Sequence, residues 1–472
     1  MRGGVALGAV GATGLMSSPL MAQAKRSNIG SPKLPVRGEF TIANALVMTM
    51  DGALGDVAGA SVHVRNGEIV AVGNDKDVKG GGMRIDGTGM IVMPGLVETH
   101  WHMWNTLFRS FAGDRPEEGY FPTVARFGQQ MTADDIFQST RLSAAEAINS
   151  GMTFVHSWCH NVRSQAHAEA DIRALTAAGI RARHSCGWPQ GMPDTQGADQ
   201  GPIESLARDW NSWSNEGLIT LGMAWRGQFR AGPIKPEVYQ PEFDNARKLG
   251  LPITVHVGAA AHKALNQVEG LYKARLMGKD VQLVHALSAN PAELDMIAES
   301  GAAISTSPGT ELRIGYGYPL ISEWLAKKIP VGISVDTSAL TGSSNLFAVL
   351  KLARDSENAR AESEFKMTAR KALELGTIEG ARSMGMDDKI GSLKPGKRAD
   401  LIMISPNALD MAVVTDPAHL VLEATGPENV DTVVVDGRIL KRSGKLTALN
   451  PTEVIAGARA ALAGVRERTK WR

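Results

Sequence analysis

An apolar run that starts near Met93 ends on two histidines, His100 and His102. Alternate residues of a β-strand point to the same side of the strand. If residues 95–102 form a buried strand, the two imidazoles project together from its carboxyl end, where they can share one metal ion. The spacing of these two residues therefore predicts part of a metal site.

Three later strand-like runs also carry side chains that bind metals. The runs 252–258 and 281–285 contain His256 and His285, and the run 331–336 ends on Asp336. Imidazoles together with a carboxylate form a ligand set that suits zinc or ferrous iron. If three imidazoles and the carboxylate bind the metal, one further histidine is left for chemistry.

The elements that must position these side chains follow an alternating pattern. Short β-like runs alternate with helix-like segments between Pro94 and about Gly391, which is typical of a parallel α/β fold. Since an active site forms at the carboxyl ends of the strands of a TIM (β/α)8 barrel, the candidate ligands would meet at one mouth. We predict such a barrel at 93–391. Its eight strands are expected at 95–102, 152–159, 180–188, 219–227, 252–258, 281–287, 302–308 and 330–336.

The segments on either side of the barrel are rich in strand-forming residues and punctuated by glycine. Residues 36–92 and 393–448 each contain a turn signal, Asn66-Gly67 and Asp436-Gly437 respectively, between β-rich runs. We expect the two segments to form one small composite β-sandwich, and residues 451–472 to form a C-terminal helix.

Composition restricts the class of partner. The chain has 472 residues and 43% hydrophobic content, enough for a large domain and a smaller one. Lys and Arg total 50 against 49 for Asp and Glu, so the formal net charge is +1. This balance provides no global field for attracting nucleic acid or an anionic membrane. We expect a small-molecule substrate and no nucleic-acid partner.

The N-terminal segment has the composition of an export signal. Residues 4–22 are uncharged and rich in Gly and Ala, Arg2 precedes them, and Ala22-Gln23-Ala24 follows as a cleavage pattern. We expect residues 1–24 to be a signal of twin-arginine-like character that lacks the arginine pair, and the mature protein to be periplasmic and off the membrane. The alternative is a buried or amphipathic N-terminal helix of a cytoplasmic protein.

The chain contains two cysteines, Cys159 and Cys186, which excludes a Cys-based zinc cluster. Each lies near the end of a predicted strand. Free, buried thiols are the expected state, and a single disulfide in an oxidising compartment is the alternative.

Two motifs resemble those of the amidohydrolase superfamily, in its mononuclear deaminase and chlorohydrolase-like branch. Residues 94–102, Pro-Gly-Leu-Val-Glu-Thr-His-Trp-His, resemble the first-strand motif of that family. Residues 390–401, Ile-Gly-Ser-Leu-Lys-Pro-Gly-Lys-Arg-Ala-Asp-Leu, resemble its return into the sandwich. The resemblance covers nearly the whole mature chain and implies a homo-oligomer by family habit.

The resemblance also implies roles for individual residues. His100, His102, His256 and Asp336 would bind one divalent metal ion, zinc before iron, and Asp336 would act as the base toward water. His285 would polarise the substrate or help to manage protons.

Two departures from the family pattern limit what is carried over. The aminohydrolases of the branch usually have a glutamate three residues after the fifth-strand histidine, where this chain has Ala259. A methyl group cannot move protons, so a conventional deaminase mechanism is in doubt. The fourth-strand run 219–227 contains no lysine of the kind that bridges two metals in binuclear members, which favours one metal.

Further side chains are candidates for the substrate pocket. Glu311, just after the seventh strand, is a candidate to replace the missing acid, with a structural loop carboxylate as the alternative. His160 and His184 are expected either to line the pocket or to be satisfied histidines at the mouth of the barrel. Trp104 is one of several aromatic residues, including Trp188, that would either hold a flat substrate or belong to the core.

These features favour a metal-dependent hydrolase that cleaves a carbon–nitrogen bond, of amide, carbamate or urea type, in a small aromatic or cyclic substrate. The alternative within the same class is deamination of an amino-heterocycle, which would release ammonia. The alternative from another class is a catalytically silent ligand-binding protein, against which the complete set of histidines and aspartate argues.

Overall fold

The computed structural model describes residues 34–227, 235–258 and 260–471. The expected export signal at 1–24 and the position of Ala259 lie outside the described residues. Within the described part of the chain, no helix is both long and apolar enough to cross a membrane.

The strands divide into a composite sheet, from both ends of the described chain, and a parallel barrel between them. In chain order they are β1 (Phe40–Met48), β2 (Asp56–Arg65), β3 (Glu68–Asn74), β4 (Met83–Asp86), β5 (Ile91–Pro94), β6 (Leu96–Trp101), β7 (Met152–Cys159), β8 (Arg181–Cys186), β9 (Ile219–Trp225), β10 (Ile253–Val257), β11 (Val281–His285), β12 (Ala303–Thr306), β13 (Val331–Ile333), β14 (Leu401–Ile404), β15 (Val430–Val435), β16 (Arg438–Arg442) and β17 (Lys445–Leu446).

The helices cover the outside of the barrel and form parts of its mouth. They are α1 (Tyr120–Gly128), α2 (Ala133–Asn149), α3 (Gln165–Ala178), α4 (Gly201–Arg208), α5 (Trp210–Trp213), α6 (Pro236–Lys248), α7 (Gln267–Lys273), α8 (Pro291–Ser300), α9 (Pro308–Arg313), α10 (Ile321–Ala326), α11 (Ser338–Thr341), α12 (Leu346–Arg360), α13 (Ala369–Leu375), α14 (Ile378–Ser383), α15 (Pro417–Ala424) and α16 (Pro451–Thr469). Short 3₁₀ helices lie at Met103–Phe108, Pro116–Glu118 and Ala260–Leu265.

The barrel follows the predicted order. Strands β6 to β13 pair as parallel neighbours in the order in which they occur in the chain. An isolated parallel bridge between Trp101 and Asp336 joins the end of β6 to the segment after β13. The predicted eight strands and the TIM-barrel fold are therefore confirmed.

Local signals in the sequence define the longer helices between the strands. Helix α2 begins after Thr132, whose side chain accepts from the backbone N–H of Asp135, while the Asp135 carboxylate accepts from the N–H of Thr132. Helix α8 has the same reciprocal cap between Asn290 and Glu293. Such caps satisfy backbone donors that a helix start leaves without partners.

The composite sheet differs in one respect from the expected sandwich. Its strands form one hydrogen-bonded sheet of nine strands, because β5 pairs with β1 on one side and with β14 on the other. One apolar core, separate from that of the barrel, contains residues of both halves, among them Val62, Leu401 and Val434.

A buried network of charged side chains joins the composite sheet to the start of β8. The Arg181 guanidinium donates to Asp400 through Nε at 2.6 Å and to Asp436 through Nη2 at 3.0 Å. Asp436 also accepts from Nε of Arg37 and of Arg398, each at 2.7 Å. Both aspartates and Arg181 are buried, so each charge depends on its partners.

Candidate active site

Main-chain hydrogen bonds place the first-strand histidines beside Asp336. The N–H of His102 donates to the carbonyl of Asp336 at 2.6 Å, and the N–H of Asp336 donates to the carbonyl of His100 at 3.0 Å. These bonds close the barrel between β6 and the segment after β13. The same contact that closes the fold therefore fixes three candidate ligands relative to one another.

The side chains of this closure converge on one point. Nε2 of His100 lies 3.2 Å from Oδ1 of Asp336, and Nε2 of His102 lies 3.3 Å from the same oxygen. The ring centroid of His256 lies 5.0 Å from that of His100. Potential ligand atoms lie within 4.8 Å of one another in two groups, His100 with His102 and Asp336, and His100 with His256 and His285.

The chemistry of these residues fits a bound divalent metal. Both ring nitrogens of His100 are buried, and neither has a hydrogen-bond partner among the described residues, a costly arrangement unless a ligand satisfies them. Burial, reinforced by neighbouring imidazoles, lowers the pKa of His100 and His256 well below the ordinary value. For His102 burial is again the main cause, and the pKa falls to about 3. The neutral imidazoles that result are the form that binds metals.

Hydrogen bonds around His102 determine which of its nitrogens is available. The indole N–H of Trp104 donates to Nδ1 of His160 at 3.1 Å, so this nitrogen of His160 is an acceptor. Nδ1 of His102 lies 3.0 Å from the same acceptor and 3.2 Å from the carbonyl of Trp158. Nδ1 of His102 therefore carries the proton, and its Nε2, which faces Asp336, is free to bind a metal.

His285 is held from behind by a buried carboxylate. Its Nδ1 lies 2.9 Å from Oε1 of Glu311, which is fully buried. Burial alone lowers the pKa of His285, but the hydrogen bond to Glu311 and the charge of Asp336 outweigh it and raise the pKa above the ordinary value. His285 therefore differs electrostatically from the other histidines of the site.

The backbone is strained at two site residues. His285 has φ of 74° and Asp336 has φ of 61°, in the left-handed region that non-glycine residues rarely adopt. Such conformations cost about 1–3 kcal/mol each and persist where the surrounding structure holds them. Here they turn the chain at the ends of β11 and after β13, and so direct both side chains into the barrel mouth.

A cavity of about 290 Å³ opens above these residues. His102, His256, His285 and Asp336 line it, as does His160, which the sequence predicted as a pocket residue. Trp188, one of the aromatic candidates, also lines the cavity. Other lining residues were not predicted from the sequence, among them Tyr120, Phe121, Gln190, Asp194, Arg226 and Tyr316.

Three predicted substrate contacts lie elsewhere. Trp104 is fully buried beneath His160, to which it donates, and Glu311 lies behind His285; neither lines the cavity. His184, for which a pocket position and a satisfied histidine were both open, does not line the cavity either. Its Nδ1 lies 2.6 Å from Oδ2 of Asp171, on α3, so the imidazole points out of the barrel toward the helix layer.

The two cysteines are free, buried thiols, as expected. Cys159 and Cys186 are paired in register on β7 and β8. Burial raises the pKa of Cys159 well above the ordinary value and that of Cys186 to about 12. Both therefore remain protonated at neutral pH and are poor nucleophiles.

Comparisons with known proteins identify the family of the chain and its relatives. Residues 91–440 match the family described as "Amidohydrolase family". A 5'-deoxyadenosine deaminase of Methanosarcina mazei is 27% identical over 452 residues, which cover 90% of this chain and 97% of that protein.

Two solved structures share the fold. An adenosine deaminase from Xanthomonas campestris with bound zinc has a TM-score of 0.77 at 22% identity, covering 92% of this chain and all of that one. An atrazine chlorohydrolase from Arthrobacter aurescens TC1 in complex with zinc has a TM-score of 0.75 at 24% identity, covering 90% of this chain and all of that one. The predicted fold, family and hydrolase class are confirmed. Because the matched region covers most of the chain, including the whole barrel and strands β5, β14 and β15 of the composite sheet, the chain belongs to the amidohydrolase family.

Proposed function

We propose that this protein is a metal-dependent hydrolase that cleaves a carbon–nitrogen bond of a small, flat, cyclic substrate. The observation that carries the proposal is the convergence of three neutral imidazoles and one carboxylate at the inner end of a cavity, where neither nitrogen of His100 has a hydrogen-bond partner among the residues that the structure describes. A ligand set of this kind, open to a pocket on one side, is typical of catalytic metal sites.

The residues that would hold the metal are His100, His102, His256 and Asp336. One ion fits this set, and zinc is the first candidate because both solved structures described above contain it; iron is the alternative. A metal bound here supplies Lewis-acid activation of water and of the group that is attacked. His160, through its contact with His102, fixes the tautomer that this binding requires.

Two side chains of the chain itself would act on the substrate. Asp336 lines the cavity and can accept the proton that the attacking water gives up. His285 has Nδ1 engaged by Glu311, so Nε2 is the nitrogen left to exchange a hydrogen bond with the attacked group.

The walls of the cavity favour a flat substrate. The rings of His160 and Trp188 are stacked, with centroids 5.0 Å apart and an interplanar angle of 29°. Tyr120 and Tyr316 add aromatic surface, and Arg226, just after β9, adds a cationic side chain whose Nη1 and Nη2 donate to the carbonyls of Pro193 and Gln196. Aromatic walls with a few polar groups suit a planar ring that carries polar atoms.

The nature of the leaving group separates two candidate reactions. Ala259 occupies the sequence position at which the related deaminases usually have a proton-shuttling glutamate, which favours an amide, carbamate or urea substrate. Deamination of an amino-heterocycle is the second candidate, supported by the 5'-deoxyadenosine deaminase of M. mazei, which resembles the chain over nearly all of its length.

Metal analysis is the first test. Purified protein loaded with zinc should contain about one metal per chain by elemental analysis, and His102→Ala and Asp336→Ala should lose it. Asp355→Ala is the matched control, since Asp355 pairs with Lys351 on the surface and its loss should leave the metal content unchanged. Two metals per chain would contradict the mononuclear site.

A substrate panel then separates the reactions. Amides, carbamates, ureas and amino-heterocycles are incubated with the zinc-loaded protein, and ammonia and the organic products are measured separately. Release of an amine and an acid supports the first candidate, whereas release of ammonia from a heterocycle supports the second. No turnover of any class by protein with its metal bound would contradict the proposed hydrolysis.

We also propose a periplasmic, homo-oligomeric mature protein. The composition of residues 1–24 supports export, and family habit supports the oligomer. N-terminal sequencing of protein from native cells should give a start near Lys25, and a start at Met1 would contradict export. Light scattering of the same preparation measures the oligomeric state, and a monomer would contradict assembly.

A further inference from the structure

Glu311 is a carboxylate just outside the cavity, and no lysine or arginine in the described part of the chain pairs with it. Glu311 is fully buried in the first turn of α9. Among the described residues its single ion-pair contact is the imidazole of His285, at 2.9 Å. A buried glutamate without a lysine or arginine partner is unfavourable for folding. A function in the active site would explain why Glu311 is present.

The surroundings of Glu311 fix the direction of its carboxylate. Oε1 accepts from the main-chain N–H of Ser307 at 2.8 Å, and the hydroxyl of Thr306 lies 2.9 Å from Oε1 and 2.7 Å from Oε2. These donors belong to the end of β12 and the residue after it, next to β11, which carries His285. Thr306 and Ser307 therefore hold the carboxylate in place independently of its contact with the imidazole.

The backbone of His285 makes this support necessary. His285 and Ala286 both have positive φ, 74° and 53°, at the point where β11 ends. This strained turn directs the imidazole into the mouth, and the ring still needs a partner to fix its rotation and its protonated nitrogen. Glu311 accepts from Nδ1 and leaves Nε2 toward the cavity.

We propose that Glu311 is a positioning residue that orients His285 by accepting its Nδ1–H, so that Nε2 faces the reacting group of the substrate. The inference rests on the proposed function for the role of His285, but the geometry that it claims can be observed without turnover. Glu311 does not touch the substrate in this proposal, and it acts through the imidazole alone.

The test uses zinc-loaded protein and two substitutions. Glu311→Ala removes the acceptor, whereas Glu311→Gln keeps an oxygen that can accept from His285 and from Ser307. Glu357→Ala is the control: Glu357 is also fully buried and accepts from the main-chain N–H groups of Ile321 and Ser322 at the start of α10. The control should lower the melting temperature and leave kcat per folded molecule unchanged.

Two measurements decide the outcome. In protein with labelled histidine, the hydrogen-bonded Nδ1–H proton of His285, assigned by its loss in His285→Gln, should be visible by NMR, absent in Glu311→Ala and retained in Glu311→Gln. Glu311→Ala should lower kcat roughly 10- to 100-fold with little change in KM, and Glu311→Gln should recover most of the loss.

Other results would overturn the proposal. A folded Glu311→Ala variant with normal kcat, or one with lowered kcat that keeps the His285 signal, would show that the carboxylate does not position the ring. Equal losses of kcat in Glu311→Ala and Glu311→Gln, with the signal retained in Gln, would also overturn it. If the wild-type protein turns over no substrate, the proposed function fails, while the NMR result still tests the contact.

Discussion

Replacing Gly227 tests how precisely His256 must be positioned for metal binding and catalysis. It follows β9, has φ of 72°, and a Cβ built on it would lie 1.9 Å from the main-chain oxygen of His256. Ordinary van der Waals contact begins at 3.4 Å, so Gly227→Ala requires a displacement of about 1.5 Å between these chains. The displaced atom belongs to the backbone of a proposed metal ligand.

The expected effect follows from the tolerance of such sites. Ligand distances in a metal site are held within about 0.2 Å, and a misplacement of about 1 Å in a catalytic geometry costs on the order of 100-fold in rate. We therefore expect Gly227→Ala to bind zinc more weakly and to lower kcat on the order of 100-fold. Elemental analysis after dialysis and steady-state kinetics measure the two effects.

Gly217→Ala separates the clash from backbone strain. Gly217 precedes β9 and has φ of 79°, and apart from its chain neighbours no described residue has an atom within 4 Å of a Cβ built on it. Both substitutions place alanine in the left-handed region, at a cost of about 1–2 kcal/mol, but only Gly227→Ala presses on His256. If the two variants keep the same metal content and the same kcat, the claim that the close packing of Gly227 against the backbone of His256 positions this residue is refuted.

Three further predictions concern the charge network and the cavity wall. Arg181→Met leaves Asp400 and Asp436 buried without their shared cation and should cost about 3–5 kcal/mol in free energy of unfolding, measured by chemical denaturation. Burial alone raises the pKa of Asp436, but Arg181 and Arg398 outweigh the effect of burial and hold this pKa below its ordinary value. Its stabilising contribution is therefore present above the unfolded-state pKa and lost as pH falls through the folded-state pKa, so Asp436→Asn should flatten the acid dependence of Tm. Trp188→Ala should raise KM about 3- to 10-fold by removing the ring stacked on His160, and Trp188→Phe should restore most of the affinity.

These predictions can each fail on their own. An Arg181→Met protein as stable as the wild type would show that the network contributes little to folding. The same acid profile of Tm in wild type and Asp436→Asn would remove Asp436 as a source of the pH dependence. An unchanged KM in Trp188→Ala would place the substrate away from this wall.

The convergence of the candidate ligands could be predicted from the sequence because strand geometry relates their positions, whereas their roles remain implied by the family resemblance. In a parallel barrel the carboxyl ends of all strands lie at one mouth, and His100 and His102 share a face because they are two residues apart. His256 and His285 lie at the ends of β10 and β11, and Asp336 follows β13 by three residues, so little knowledge of loops was needed to bring them together. The position of these side chains at the inner end of the cavity was therefore predictable at the level of single residues.

His184 shows where this reasoning stops. Both faces of a barrel strand are buried, so the sequence of β8 does not reveal which side chains point inward. The structure sets His184 in register with Ser157, and both side chains bond to Asp171 on α3. The contact with Asp171 on α3 shows which side of β8 carries His184, and the sequences of the two strands do not reveal this contact. The position of Tyr316 in the cavity could not be predicted either, because Tyr316 lies in a loop.

The absence of glutamate at position 259 changes what the remaining groups must do. Among the described residues, Asp336 and Asp194 are the carboxylates that line the cavity, and Asp336 alone belongs to the converging set around His100. In the proposed reaction, one carboxylate at the reacting end would therefore both accept the proton of water and return it to the leaving nitrogen, while His285 would exchange hydrogen bonds from the other side. The leaving group of an activated amide or carbamate needs little protonation before it departs. The exocyclic amine of a heterocycle needs more, so a single carboxylate suits the first kind of substrate better. The need for a second proton-transferring group can be measured by comparing the wild type with Ala259→Glu on both substrate classes. The substitution should raise the rate of ammonia release more than the rate of amide hydrolysis. An equal effect on both rates would contradict the proposed shortage of proton transfer.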